Sequence, residues 1–222
     1  MNRGAVCEIP SSSYPEGRVR LATVTEDEYI QPTTGGNHNA MPIVTTHFGP
    51  MPIDKTPYWH LVGQSGPDAF MFYNNVRVNK GCLFSVSAMV ANGLYGAVTP
   101  YSVAHRDRKK EHQFERVRVE SYAVLPTRMG ALFVFDDRAH VAHAQQTWFT
   151  GTPTNVYECR LFASSVRHKA DSILLNTEAP DWDGNAHRYW QGQMTEQPLP
   201  EIIVFGGVYF PDWQSFLNDV AP

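Results

Sequence analysis

The chain has 222 residues, 42% hydrophobic and 18% charged, with a formal net charge of -4 and a pI near 6.1. That length suits one well-packed domain with an appended arm. The acidic balance excludes a protein that coats nucleic acid through bulk charge, while leaving room for a local basic patch. No apolar run approaches a membrane span, and the N-terminus lacks the basic-then-apolar pattern of a secretory signal. The expectation is a soluble chain without a membrane partner, either cytoplasmic or secreted as an effector without a cleavable signal peptide. Cys7, Cys82 and Cys159 lie far apart with no CxxC or Cys/His spacing, so neither a disulfide framework nor a structural zinc site is expected.

Residues 1–55 are rich in Pro, Ser, Thr, Gly and Asn, as in Ser11-Ser12-Ser13 and Thr33-Thr34-Gly35-Gly36-Asn37. Such a stretch buries little apolar surface and reads as an irregular arm, with one short strand around Val19 to Val24. Residues 56–222 read as the domain. Pro57-Tyr58-Trp59-His60-Leu61-Val62 has the aromatic and aliphatic content of a central strand. His60 inside it is either a hydrogen-bonded core residue or a ligand-binding one.

Lys80-Gly81 leads into the strand-like Cys82-Leu83-Phe84. Ser85 to Leu94 then has helix-compatible spacing (Val86, Met89, Val90, Leu94) and stops at Gly93 or Gly96. The charged run from Arg106 to Glu111 continues through Glu115 to Glu120. It predicts a solvated helix or loop face followed by a polar-alternating edge strand, or else a local landing site for phosphate or nucleic acid.

Leu125-Pro126-Thr127-Arg128 precedes the strand-like Ala131 to Phe135, after which Asp136 and Asp137 offer an N-cap for a helix carrying Ala139, Ala142, Ala144 and Trp148. Arg128 suits bidentate phosphate binding or an ion pair with Asp136 or Asp137. His140 and His143 stand three apart, but no Glu accompanies them in the His-Glu-x-x-His manner, and no metal site is expected. Val156 to Leu161 alternates like a strand with one wet face. Ala186 to Gly192 is aromatic and ends a short helix. Finally, Ile202 to Phe205 reads as a short buried strand between Pro200 and Gly206-Gly207, with the carboxylate of Glu201 at its mouth.

Glu201 followed by Ile202-Ile203-Val204, a Gly-containing turn and another short strand resembles the catalytic-glutamate strand of the ADP-ribosyltransferase superfamily. Tyr58-Trp59-His60 resembles the first strand of its His-containing members, and Lys80-Gly81 with the following strand is similar to several bacterial relatives. The Pro126-Thr127-Arg128 block with its Ala-rich helix ending in Trp148 is similar to a bacterial family of unknown function related to that superfamily. So are His168-Lys169-Ala170-Asp171 and Tyr189-Trp190-Gln191-Gly192. The resemblance spans Tyr58 to Phe210.

It implies an α+β fold, an ADP-ribosyltransferase-like split β-sandwich of two mainly antiparallel sheets with flanking helices. It also implies an NAD-dependent mono-ADP-ribosyltransferase acting on a macromolecular acceptor, protein or nucleic acid, in the role of a toxin, effector or conflict enzyme with an antitoxin or target protein as partner. Breaking the nicotinamide–ribose bond passes through an oxocarbenium-like transition state, and nicotinamide is already a good leaving group. The site therefore needs a carboxylate to orient the ribose and to stabilise developing positive charge. The resemblance gives that role to Glu201, the adenosine ribose to His60, the pyrophosphate to Arg128, and stacking on nicotinamide to Phe133 or Tyr189.

Two departures stand out. Leu199 occupies the position where many protein-modifying relatives carry Gln or Glu, and Tyr73, Tyr95 and Tyr101 compete as the tyrosine that accompanies the histidine. A non-catalytic nucleotide- or protein-binding module and an NAD glycohydrolase are the alternatives.

Overall fold

The computed structural model describes residues 41–46, 49–94, 99–105 and 108–219. The chain divides into Met1–His38 and Asn39–Pro222, and the second unit is the one described below. The strand expected around Val19 to Val24 lies outside the described residues.

Strands β1 (Ile43–Thr46) and β2 (Gly49–Pro52) pair antiparallel as a two-stranded sheet. Pro50 and Pro52 are compatible with it because each strand has an unpaired edge. The irregular reading of residues 1–55 thus fails over this stretch. Ile53, 6% exposed, packs with Cys82 and Phe162, so apolar burial begins before residue 56.

The domain then holds two further antiparallel sheets. One has the order β3 (Tyr58–Gly63), β6 (Thr154–Leu161), β9 (Gly207–Tyr209), β4 (Cys82–Phe84). The other has the order β5 (Leu132–Val134), β8 (Pro200–Phe205), β7 (Val166–Asp171). The helices are α1 (Pro67–Val78), α2 (Val86–Ala91), α3 (Pro100–His105), α4 (Lys109–Ser121), α5 (Arg138–Trp148), α6 (Trp182–Trp190) and α7 (Trp213–Asp219). The fold is α+β, with antiparallel sheets and flanking helices. Among the described residues no helix is long and apolar enough to cross a membrane.

Local chemistry accounts for the boundaries. Ser85 caps α2 by accepting from the Ala88 amide, and Asp137 caps α5 by accepting from the Ala139 amide at 2.8 Å. Between β8 and β9 the chain turns at Gly206 with φ +126°. A Cβ there would meet Ser165 Oγ at 2.5 Å, so glycine is required twice over.

From Lys109 to Ser121 the charged run is one continuous helix, α4. The edge strand expected over Glu115 to Glu120 does not form, because Glu111, Phe114 and Val117 recur at helical spacing and bury one face.

Strand β8 is covered on both faces, which explains its nearly unbroken apolar run. Ile202 and Val204 pack with Val134, Val208 and residues of α1 such as Phe72 and Val76. Ile203 faces the other way, into Phe114, Val117, Tyr189 and Trp190 from α4 and α6. Trp190 Nε1 donates to the Phe114 carbonyl at 2.8 Å and ties those two helices together.

The two larger sheets touch through β3 and β5. Trp59 and Phe135 exchange both backbone hydrogen bonds, each 2.9 Å, as an isolated bridge. Beyond that bridge the strands part. A cavity of about 680 Å³ opens there, lined by His60 to Gly63 on one side and Ala131 to Phe133 on the other.

Candidate functional site

Glu201 is the second residue of β8, opposite Ala170 of β7, and is only 2% exposed. It does not stand at the mouth of the strand in solvent; it lies in the interior and needs partners there. Tyr189 donates its hydroxyl to Glu201 Oε1 at 2.7 Å, and Arg128 Nη1 donates to the same oxygen.

Arg128 reaches Glu201 from a 3-10 turn (Arg128–Gly130) just before β5. Thr127 caps this turn and donates its hydroxyl to Glu115 Oε2 at 2.9 Å, so α4 braces the segment. Gly130 is obligatory because a Cβ would meet Ser87 Oγ at 2.0 Å.

The guanidinium is 4% exposed as a residue and enclosed on every side. Nη2 donates to the Tyr101 hydroxyl at 2.7 Å, and Tyr101 donates onward to Glu111 Oε1 at 2.7 Å. Nε lies 3.5 Å from Glu111 Oε2. The guanidinium carbon sits 5.1 to 5.3 Å from the ring centres of Tyr101, Tyr189 and Phe133, within cation–π range. Burial opposes the charge on Arg128, but the Glu201 carboxylate, then Tyr189, Tyr101 and Glu111, holds its pKa well above the ordinary arginine value. Burial likewise pushes the Tyr189 hydroxyl well above its usual range, reinforced by Glu201, so Tyr189 stays a donor.

The ion pair expected between Arg128 and Asp136 or Asp137 does not form. Asp137 is occupied as the cap of α5, and Asp136 pairs with Lys169 at 2.7 Å. Arg128 turns inward because Glu201 and Glu111 wait there.

His60 lies half-buried on β3, its ring stacked 5.4 Å from Phe72. Nδ1 is 2.8 Å from the Phe133 carbonyl, and since a carbonyl only accepts, Nδ1 carries the proton. Burial lowers the pKa of His60, so the ring is neutral and Nε2 is an acceptor nitrogen. This contact falls at the parting of the sheets, where β5 has lost its backbone partner on β3. His60 is thus a hydrogen-bonded strand residue that also lines the cavity.

The cavity brings together His60, Phe72, Tyr101, Arg128, Phe133 and Glu201. Tyr189 is not on its wall. It is fully buried, and its hydroxyl bonds to Arg128 and Glu201; of the two rings expected to stack on nicotinamide, Phe133 is the one that lines the cavity. Of the competing tyrosines, Tyr101 is in the cluster. Tyr73 is hydrogen-bonded to Tyr157 at 3.0 Å instead, and Tyr95 lies outside the described residues.

Glu111 is the residue that sequence reading passed over. It lies within a charged run whose composition predicts a solvated face or a phosphate landing site, although its i, i+3, i+6 spacing with Phe114 and Val117 marks it as inward-facing. Leu199, which replaces the expected polar residue, is fully buried against Phe135, Val141 and Ala144. His140 Nδ1 lies 3.8 Å from Asp136, and among the described residues no group of three or more His, Cys, Asp or Glu side chains is placed to hold a metal ion.

Asp171 fixes the approach to Glu201. It accepts from the amides of Ile173 (3.0 Å), Thr195 (2.8 Å) and Leu199 (2.9 Å) and from the Thr195 hydroxyl (2.7 Å). Ser172 adds two hydrogen bonds to the Leu199 carbonyl. The three residues Leu199-Pro200-Glu201 are thereby held at one end of β8.

A buried carboxylate gripped by an arginine and a tyrosine, on the wall of an aromatic cavity, is suited to orienting hydroxyl groups and to stabilising positive charge. No curated protein matches the chain. Residues 58–212 match the model of a family described as a protein of unknown function, DUF2441. That span covers most of the 222 residues, and the chain belongs to the DUF2441 family.

Proposed function

We propose that this protein is an NAD-dependent mono-ADP-ribosyltransferase acting on a protein or nucleic acid. The observation that carries the reading is the position of Glu201, fixed by Arg128 and Tyr189 on a cavity that also takes His60 from the facing strand.

The residues fit the dinucleotide. A cavity of about 680 Å³ is of ligand-binding size, and its wall mixes aromatic rings with a few polar groups. Two carboxylates, Glu201 and Glu111, face one guanidinium, so the buried cluster carries a formal excess of negative charge. That excess complements a cationic nicotinamide ring and, more strongly, the oxocarbenium character that develops as the glycosidic bond breaks. NAD supplies the labile bond; the chain supplies charge and orientation.

Within this reading Glu201 accepts from a ribose hydroxyl and stabilises the developing cation. Tyr189 and Arg128 act on Glu201, holding its carboxylate in one orientation. His60, neutral with Nε2 as acceptor, receives a ribose hydroxyl at the other sugar, and Phe133 offers the flat face for nicotinamide. A role as toxin, effector or conflict enzyme follows from the same resemblance.

A second reading is favoured by one observation: Glu201 Oε1 is already engaged by Arg128 and Tyr189. On that reading the pair is a structural clamp and the cavity only binds a nucleotide. Incubation with labelled NAD, alone and with cell lysate, separates the two. Release of nicotinamide with label on a macromolecule supports the transferase; free ADP-ribose alone supports hydrolysis; binding without release supports the clamp.

A further inference from the structure

We infer that Arg108 and Lys110 form the diphosphate-binding rim of this cavity, a role that Arg128 does not fill. The inference rests on the reading of NAD as donor and extends it to the polarity of the site.

Arg128 is committed elsewhere. Its guanidinium is buried between Glu201, Glu111, Tyr101 and Tyr189, and its charge is already met by two carboxylates. Its Nε, buried on the same wall, has no hydrogen-bond partner, but one such donor does not hold a diphosphate.

Arg108 and Lys110 line the same cavity at its more exposed end, with His105 beside them. Lys110 Nζ donates to the Leu175 carbonyl at 2.5 Å, which holds the ammonium against the wall rather than in bulk water. Burial lowers the pKa of Lys110, and the like charges of Arg108 and Arg128 lower it further, against the opposing pull of Glu111. Arg108 and Lys110 thus stand on the same cavity wall within three residues of chain.

The position in the fold points the same way. Arg108 is the N-cap of α4 and offers no side-chain cap, and Lys109 and Lys110 follow it. Cations at a helix N-terminus oppose the helix dipole, and a bound anion reverses that cost by meeting both the side chains and the amide groups of the first turn. The remaining ionisable side chains on the wall are His60 and Asp68, the latter in the first turn of α1.

The buried part of the wall holds Glu201 and Glu111 against Arg128, while its more exposed part holds Arg108 and Lys110, with Asp68 as the carboxylate there. A ligand with a cationic ring at one end and a diphosphate behind it matches that order.

The test is calorimetric titration of the full chain and its Arg108→Ala/Lys110→Ala variant with inorganic pyrophosphate, ADP-ribose, and nicotinamide riboside, which has no phosphate. Pyrophosphate and ADP-ribose are expected to bind at least tenfold more weakly to the variant, with nicotinamide riboside unchanged. If the double variant fails to fold, the exposed single change Arg108→Gln serves, with a several-fold loss expected for the two phosphate-bearing probes.

Equal binding of pyrophosphate by both proteins, or none by the wild type, overturns the rim. So does binding of a single-stranded oligonucleotide through these residues without binding of pyrophosphate, which makes this a nucleic-acid surface. Pyrophosphate binding that needs Arg108 and Lys110, with no binding of NAD or ADP-ribose, keeps the rim and removes the donor reading. NAD binding that is unaffected in the variant removes the rim and keeps the donor reading.

Discussion

Arg128 and Glu201 form an ion pair in the interior, with 5% and 2% of their side-chain surfaces exposed. Removing one partner leaves the other charged and buried, which costs about 3–5 kcal/mol in comparable pairs. Arg128→Ala is expected to lose that much in urea unfolding. Arg128→Ala combined with Glu201→Ala is expected to cost clearly less than the two single changes added together. Strict additivity would show that the pair does not act as a unit.

His60 is placed to accept from a hydroxyl through Nε2 while its Nδ1–H satisfies the Phe133 carbonyl. His60→Ala is expected to weaken NAD binding about tenfold, the equivalent of one hydrogen bond of ~1.4 kcal/mol. Unchanged saturation behaviour would remove His60 from the binding site.

The same residue predicts an acid sensitivity. His60 and His168 both have pKa values lowered by burial, so below about 6.5 the unfolded chain takes up protons that the folded chain refuses. Their contribution to stability is complete above pH 6.5 and declines as the pH falls toward the folded-state values. The fall in unfolding free energy between pH 6.5 and 5.5 should shrink in His60→Gln; an identical slope in the variant would contradict the lowered pKa.

Asp171 accepts from three amides and one hydroxyl, and although burial opposes its charge, these hydrogen bonds from Thr195, Ile173 and Leu199 lower its pKa overall. Its stabilising contribution is present above the unfolded value of about 3.9 and is lost as the pH falls through the lower folded value. Asp171→Asn is expected to cost about 2–3 kcal/mol at neutral pH, since hydrogen bonds to a charged group are the stronger kind. It should also reduce turnover by loosening Leu199 to Glu201. A variant as stable as the wild type would mean that the loop is held by Ser172 alone.

Much of the site was legible because its elements are local. The strand of Glu201, the cap at Asp137, and the Pro126-Thr127-Arg128 approach to β5 each announce themselves within a few residues. What was not legible depended on contacts distant in sequence. The burial of Glu201 follows from α4 and α6 closing over β8, and Arg128 selects Glu201 and Glu111 over the nearer Asp136 only once that layer is packed. Glu111 was hidden by its neighbours, because a charged run disguises a helix whose inward face carries one carboxylate among Phe114 and Val117. The β1–β2 pair was hidden by prolines, which a two-stranded edge sheet accepts.

The carboxylate of Glu201, if it carries the proposed reaction, is probed by nicotinamide release from NAD by the wild type and by Glu201→Gln, with binding and unfolding measured beside it. The substitution removes the charge but keeps an oxygen for the Tyr189 hydroxyl. Nicotinamide release is expected from the wild type, with a loss of about 10²–10³-fold in the variant at similar NAD affinity. Equal release by both proteins, or no release by a folded wild type supplied with lysate as a source of acceptor, would contradict it.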